Sequence, residues 1–178
     1  TIRLLGGFGM NDPIAFDPFV ESKVASDLGV RLVDLDELLS TADFVSIHCP
    51  LNDDTKGLIG ASELALMSQN AFLINTARGG IVEESALKSA LESGSIAGAA
   101  LDCFEQEPVL DAHPLGELEN VLLAPHSIAW TDELFRDIGR RACAIMIELA
   151  EGKAPFGCVN PNVFDRSGFQ KKWAHFKI

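Results

Sequence analysis

Short runs of β-favouring residues alternate with helical stretches along most of the chain, and this alternation leaves few folds open. Ile14 to Phe16, Phe44 to Ile47, Ala71 to Asn75, Ile96 to Leu101 and Val121 to Ala124 read as strands. Between them, Leu35, Leu38 and Leu39 form one apolar stripe, Leu64 with Met67 mark a second helix, and Leu87, Ala90 and Leu91 mark a third that Gly94 can stop. Runs such as Ala71-Phe-Leu-Ile are apolar throughout, so both faces of a parallel sheet are expected to be covered by helices. The longest helix is expected to start near Thr131, with Asp132 and Glu133 against its positive end, and to run to Gly152. The fold class is therefore α/β, a doubly wound parallel sheet.

The length, 178 residues with 47% apolar, supports one sizeable core. A net charge of −12, with no long basic stripe, argues against nucleic acid as a partner. No run approaches the roughly 18 apolar residues of a spanning helix, and Thr1 to Gly9 lacks a signal-peptide layout, so a soluble cytoplasmic protein with no membrane partner is expected. Cys49, Cys103, Cys143 and Cys158 form no Cys-x-x-Cys pair, so no metal site is expected and the thiols read as reduced and mostly buried. After Gly152 five basic residues face one acid, Asp165. That tail, with Pro155, Pro161 and several aromatics, is expected to be either an extended segment packed on something else or a solvated terminus.

In an open parallel sheet, ligands bind beyond the carboxyl ends of the strands. Asp17 follows the first run, His48-Cys49-Pro50 the second, Thr76 to Gly80 the third, Asp102 the fourth and Pro125-His126 the fifth. Singly these are ordinary: an Asp at a strand end commonly serves a turn, and a lone His is commonly packed or solvated. Arg78 can grip a carboxylate through two parallel hydrogen bonds or sit in a surface ion pair. His126 can donate a proton near neutral pH if a carboxylate orients it, and Glu105 and Glu107 both lie in the loop after Asp102.

Phe44-Val-Ser-Ile-His-Cys-Pro-Leu, Asn75-Thr-Ala-Arg-Gly-Gly, Ala100-Leu-Asp-Cys-Phe-Glu-Gln-Glu-Pro and Ala124-Pro-His, in this order, resemble the D-isomer-specific 2-hydroxyacid dehydrogenases over residues 3 to about 163. The resemblance implies a Rossmann-like fold and an NAD-dependent oxidoreductase interconverting a 2-keto acid and a D-2-hydroxy acid. It implies that Arg78 holds the substrate carboxylate and that His126 exchanges a proton with the substrate oxygen. Glu107, immediately before Pro108, is implied as the partner of His126, which leaves Glu105 incidental. Asp17 falls where the family binds the adenosine ribose, which favours NAD over NADP because a 2′-phosphate would meet like charge. Cys49 (through its backbone), Pro50 and Thr55 are implied on the adenosine side. Thr76, Ala77 and Arg78 are implied near the nicotinamide, with Asp102 on its carboxamide and His126 beside it. Relatives also suggest a homodimer.

The family has a first strand and a Gly-x-Gly-x-x-Gly turn ahead of a run like Arg3-Leu-Leu-Gly-Gly-Phe-Gly-Met. Here Thr1-Ile2 are expected to begin that strand, with the glycine-rich turn absent between Ile2 and Arg3, by deletion or by omission of a segment. Gly7-Phe-Gly does not replace it, since Asp17 follows too soon, and reads instead as the end of the following helix. Residues 1–152 are thus expected to form an incomplete nucleotide-binding domain, and 153–178 a tail returning toward a substrate domain missing from this sequence. An NAD-sensing corepressor on the same fold is an alternative function. A flavodoxin-like or receiver-like domain also fits the alternation but leaves Arg-Gly-Gly and Pro-His unexplained.

Overall fold

Four parallel strands carry the site. In the computed structural model, which describes residues 1–174, β1 (Ile14–Ala15), β2 (Arg31–Leu32), β3 (Phe44–Ile47), β4 (Phe72–Asn75), β5 (Gly98–Leu101) and β6 (Val121–Leu123) all pair in parallel. The helices are α1 (Ile2–Leu5), α2 (Ser22–Asp27), α3 (Leu35–Thr41), α4 (Ala61–Leu66), α5 (Glu84–Glu92), α6 (Asp132–Ala150) and α7 (Ser167–Trp173). The chain divides into two compact units, the first ending at Ile128 and the second beginning at Ala129. The boundary anticipated after residue 152 is therefore not the one the packing makes: α6 groups with the tail.

The first unit holds a four-stranded sheet, β3-β4-β5-β6, and a separate two-stranded sheet, β1-β2. In a doubly wound sheet of order 3-2-1-4-5-6, β1 and β2 take the places of strands two and three, and β3 that of strand four. Among the described residues nothing fills the first place. Thr1-Ile2 do not start a strand, contrary to expectation: the Thr1 carbonyl accepts from the amides of Leu4 and Leu5, so this run is helical through Ile2 and Arg3. A 3-10 turn, Gly6–Phe8, and Gly9 at φ 68° end it, as the glycines suggested.

One face of the four-stranded sheet packs on α3, α4 and α5, burying Val45, Ile47, Leu73, Ile81, Leu87 and Leu101. The opposite face does not match the expectation of cover on both sides: Phe44 is 55% and Leu122 76% exposed, and Phe44 stacks on Phe72 at 5.5 Å. Successive strands advance in one direction across the sheet, so crossovers of a single hand place α4 and α5 on the same side, where they pack together.

The second unit is less extended than its sequence suggested. Thr131 caps α6, its hydroxyl accepting from Leu134 N at 3.2 Å. Phe164, Phe169 and Trp173 pack ring on ring at 5.2–5.4 Å, and the Trp173 indole donates to the Leu149 carbonyl. The tail therefore folds back onto α6 through α7 and a 3-10 turn, Pro161–Asp165. Residues 175–178, including the basic Lys177, lie outside the described residues. No helix among the described residues is long and apolar enough to cross a membrane.

Candidate active site

Register brings the sequence-predicted residues to one edge. Ile47 pairs with Asn75 and Asn75 with Leu101, which in turn pairs with Leu123. His48, Thr76, Asp102 and Ala124 thus leave the sheet side by side, with Arg78 and His126 three residues beyond the ends of their strands.

Each loop is tied down by its own polar groups. Asn75 is 2% exposed, and its amide donates to the Arg78 carbonyl at 2.9 Å and accepts from Ala77 N at 3.1 Å. This side chain folds Thr76, Ala77 and Arg78 into a tight turn; a buried Asn ending an otherwise apolar strand was the available sequence signal for it. The Arg78 guanidinium donates to the Ala77 carbonyl at 2.6 Å and is otherwise exposed. Next to it, a Cβ on Gly79 would lie 1.7 Å from the Phe104 carbonyl oxygen. Only glycine lets the Arg78 turn come this close to the loop that carries Glu107.

His126 has φ 52°, a left-handed conformation unusual outside glycine. Asp102 maintains it from below: the carboxylate is 4% exposed and accepts from Ser127 N at 2.8 Å and Ile128 N at 3.0 Å. The buried Asp102 thus links the end of β5 to the loop after β6.

Glu107 and His126 meet as the resemblance implied. His126 Nδ1 lies 2.7 Å from Glu107 Oε2, while Phe104 N donates to Glu107 Oε1 at 2.8 Å. Burial pushes the Glu107 carboxyl up, but the bonds from His126 and Phe104, together with the charges of His126 and Arg78, outweigh it and hold the carboxyl below its ordinary value. Glu107 is therefore ionised at neutral pH. A carboxylate only accepts, so His126 Nδ1 carries the proton that faces Glu107. The same turn buries Cys103, whose thiol is pushed up to about 11 by burial and by Glu107 and Asp102.

On the other side of the edge, Asp17 is exposed after β1, with Oδ1 accepting from Phe19 N at 2.9 Å. Its charge reaches Cys49, whose thiol is raised chiefly by burial. Pro50 and Thr55 close the adjoining loop, the Thr55 hydroxyl donating to the Pro50 carbonyl at 2.6 Å. Two residues matter more than the sequence suggested. Glu105, read as incidental, bonds the amide of Glu84, and His113 bonds Glu84 in turn.

The family model described as "D-isomer specific 2-hydroxyacid dehydrogenase, NAD binding domain" matches residues 1–127. The chain is 42% identical over 165 residues to a D-3-phosphoglycerate dehydrogenase of Methanocaldococcus jannaschii, covering 92% of this chain and 31% of that protein. It is 45% identical over 141 residues to a glyoxylate reductase of Aeropyrum pernix, covering 79% of this chain and 42% of that protein. The chain thus spans less than half of each of these two relatives. Its structure is similar to the NAD-complexed D-isomer specific 2-hydroxyacid dehydrogenase of Lactobacillus delbrueckii ssp. bulgaricus, with a TM-score of 0.81 at 31% identity over 89% of this chain and 52% of that one. Motif order, parallel topology and these likenesses agree: the chain belongs to the D-isomer-specific 2-hydroxyacid dehydrogenase family.

Proposed function

We propose that the protein containing this chain is an NAD-dependent oxidoreductase that interconverts a 2-keto acid and a D-2-hydroxy acid, with Arg78, Glu107 and His126 as its catalytic residues. The observation that carries this reading is the 2.7 Å bond between His126 and Glu107, beside an arginine whose charge acts on the same carboxylate.

Arg78 spends one donor on Ala77 and keeps others for a substrate carboxylate, a bidentate match. His126, with Nδ1 committed to Glu107, offers Nε2 to the substrate oxygen. In reduction Nε2 gives its proton to the carbonyl oxygen as negative charge develops there; in oxidation it takes the hydroxyl proton back. Glu107 stabilises the imidazolium and fixes its tautomer. The nicotinamide cofactor, when bound, would supply the hydride as NADH in reduction and take it up as NAD in oxidation.

The residues fit that cofactor at its two ends. The exposed Asp17 carboxylate suits ribose hydroxyls beside the loop of Cys49, Pro50 and Thr55 and disfavours a 2′-phosphate. Thr76, Ala77, Arg78 and Asp102 line the nicotinamide end. Asp102 already accepts two backbone amides, so a carboxamide contact would use its remaining lone pairs. No glycine-rich turn between a strand and a helix N-terminus is found among the described residues.

The named relatives are dehydrogenases and reductases, which supports the enzyme reading over the NAD-sensing corepressor. The proposal includes a cytoplasmic homodimer, tested by fractionation and by light scattering on the complete protein. NADH absorbance followed with the complete protein and a panel of 2-keto acids tests the activity. Oxidation with at least one of them is expected; no turnover with any removes the reading.

A further inference from the structure

We propose that Glu84, Glu105 and His113 form a positioning device that sets the Glu107 loop, and through it the Glu107–His126 pair. The inference rests on the reading of that pair as the acid–base centre.

Residues 102–108 after β5 form bends with no regular hydrogen-bonded structure. A carboxylate on such a loop presents one geometry only if the backbone is held from outside. Glu84 and Glu105 supply the hold by exchange: Glu84 N donates to Glu105 Oε1 at 2.9 Å, and Glu105 N donates to Glu84 Oε1 at 2.6 Å. This link joins the loop to the first turn of α5, a helix anchored in the core by Leu87 and Leu91.

A third group completes it. His113 Nε2 lies 3.1 Å from Glu84 Oε2, and Leu115 N donates to His113 Nδ1 at 3.3 Å. Since Nδ1 accepts, Nε2 bears the hydrogen and donates to Glu84. The ring also packs on Phe104 at 4.9 Å. On the opposite side Gly79 sits directly against the Phe104 carbonyl. The Phe104–Glu105 peptide is therefore clamped from two sides, one residue before Gln106 and two before Glu107, and its Phe104 amide is the one that bonds Glu107. The three hydrogen bonds that join Glu84, Glu105 and His113 do not touch Glu107 or His126; they act through backbone.

The test follows the Glu107 carboxyl by 13C NMR titration, alongside kcat and KM of the complete protein. Glu105→Ala removes the acceptor for the Glu84 amide, whereas Glu105→Gln keeps an oxygen there. Glu105→Ala is expected to move the Glu107 titration up toward the ordinary glutamate range. It should lower kcat about tenfold, with the keto-acid KM, set by Arg78, changed less than twofold. Glu105→Gln is expected to restore both. A Glu105→Ala protein that melts at lower temperature but keeps the wild-type Glu107 titration overturns the proposal. If Glu105→Ala does not fold, His113→Phe, which retains the ring on Phe104 and drops both hydrogen bonds, is expected to give a smaller shift of the same sign; an unchanged titration there overturns it. A wild-type protein that turns over no 2-keto acid removes the functional reading alone, because the titration reads the positioning without turnover.

Discussion

Cys103 shows how close a thiol can lie to the site without entering its chemistry. It is 3% exposed, its sulfur points to the Asn75 carbonyl, and its pKa of about 11 leaves about one thiolate in a thousand at pH 8. Alkylation with iodoacetamide at pH 8, read by mass spectrometry, is expected to modify the exposed Cys143 first and Cys103 roughly a hundredfold more slowly than an unhindered thiol. Rapid labelling of Cys103 in the folded protein would contradict the burial that places Glu107 and Asp102 around it. Glu107 makes a pH prediction with a definite sign. Its folded pKa lies below the ordinary 4.5, so the native state binds its proton less readily than the unfolded chain. The stability it contributes is whole above pH 4.5 and fades as pH falls through the folded value. Chemical denaturation between pH 3 and 6 is expected to show a shallower acid loss in Glu107→Gln than in the wild type. Its side chain is one-third exposed, so solvent screens the effect.

At the scale of elements, the turn after β4 and the loop after β5 form one unit, and Gly79 is the point where they touch. Gly79→Ala places a Cβ 1.7 Å from the Phe104 oxygen and 2.0 Å from its carbon, so backbone must move. A loss of about 3 kcal/mol in urea denaturation is expected, with most activity lost; a wild-type midpoint would mean the two loops are not in contact. Asn75→Ala, which strands Ala77 N and Arg78 O, is expected to cost about 2 kcal/mol in the same assay. Elements with a strong period were legible beforehand. The stripe of Leu87, Ala90 and Leu91 lies on α5 with Gly94 at φ 68°, and Thr131 caps α6 as its position suggested. Arg31–Leu32 and Ser22–Asp27 were not legible: unlike the apolar Ile14-Ala-Phe run, the second short strand opens on a charged, exposed residue, and α2 buries only Ala25. The Glu84–Glu105–His113 link was equally hidden, since it joins groups 21 and 29 residues apart on ordinary acidic and turn positions.

For the whole molecule, all four strands of the main sheet run parallel and deliver their ends to one edge. Arg78, Glu107 and His126 are far apart in sequence, and only this topology brings them together. The strand-end reading anticipated the edge, and the motif resemblance named the residues. Neither anticipated the open sheet face, because hydrophobicity along Phe44 and Phe72 does not tell whether a helix will lie above it. The direct test of the central claim is steady-state kinetics of Arg78→Ala and His126→Ala in the complete protein with its best 2-keto acid. Loss of charge-assisted bonds to the carboxylate is expected to raise KM roughly a hundredfold in Arg78→Ala. Loss of the proton donor is expected to lower kcat by about 10²- to 10⁴-fold in His126→Ala, with NADH still bound. Wild-type KM and kcat in both variants would contradict the account.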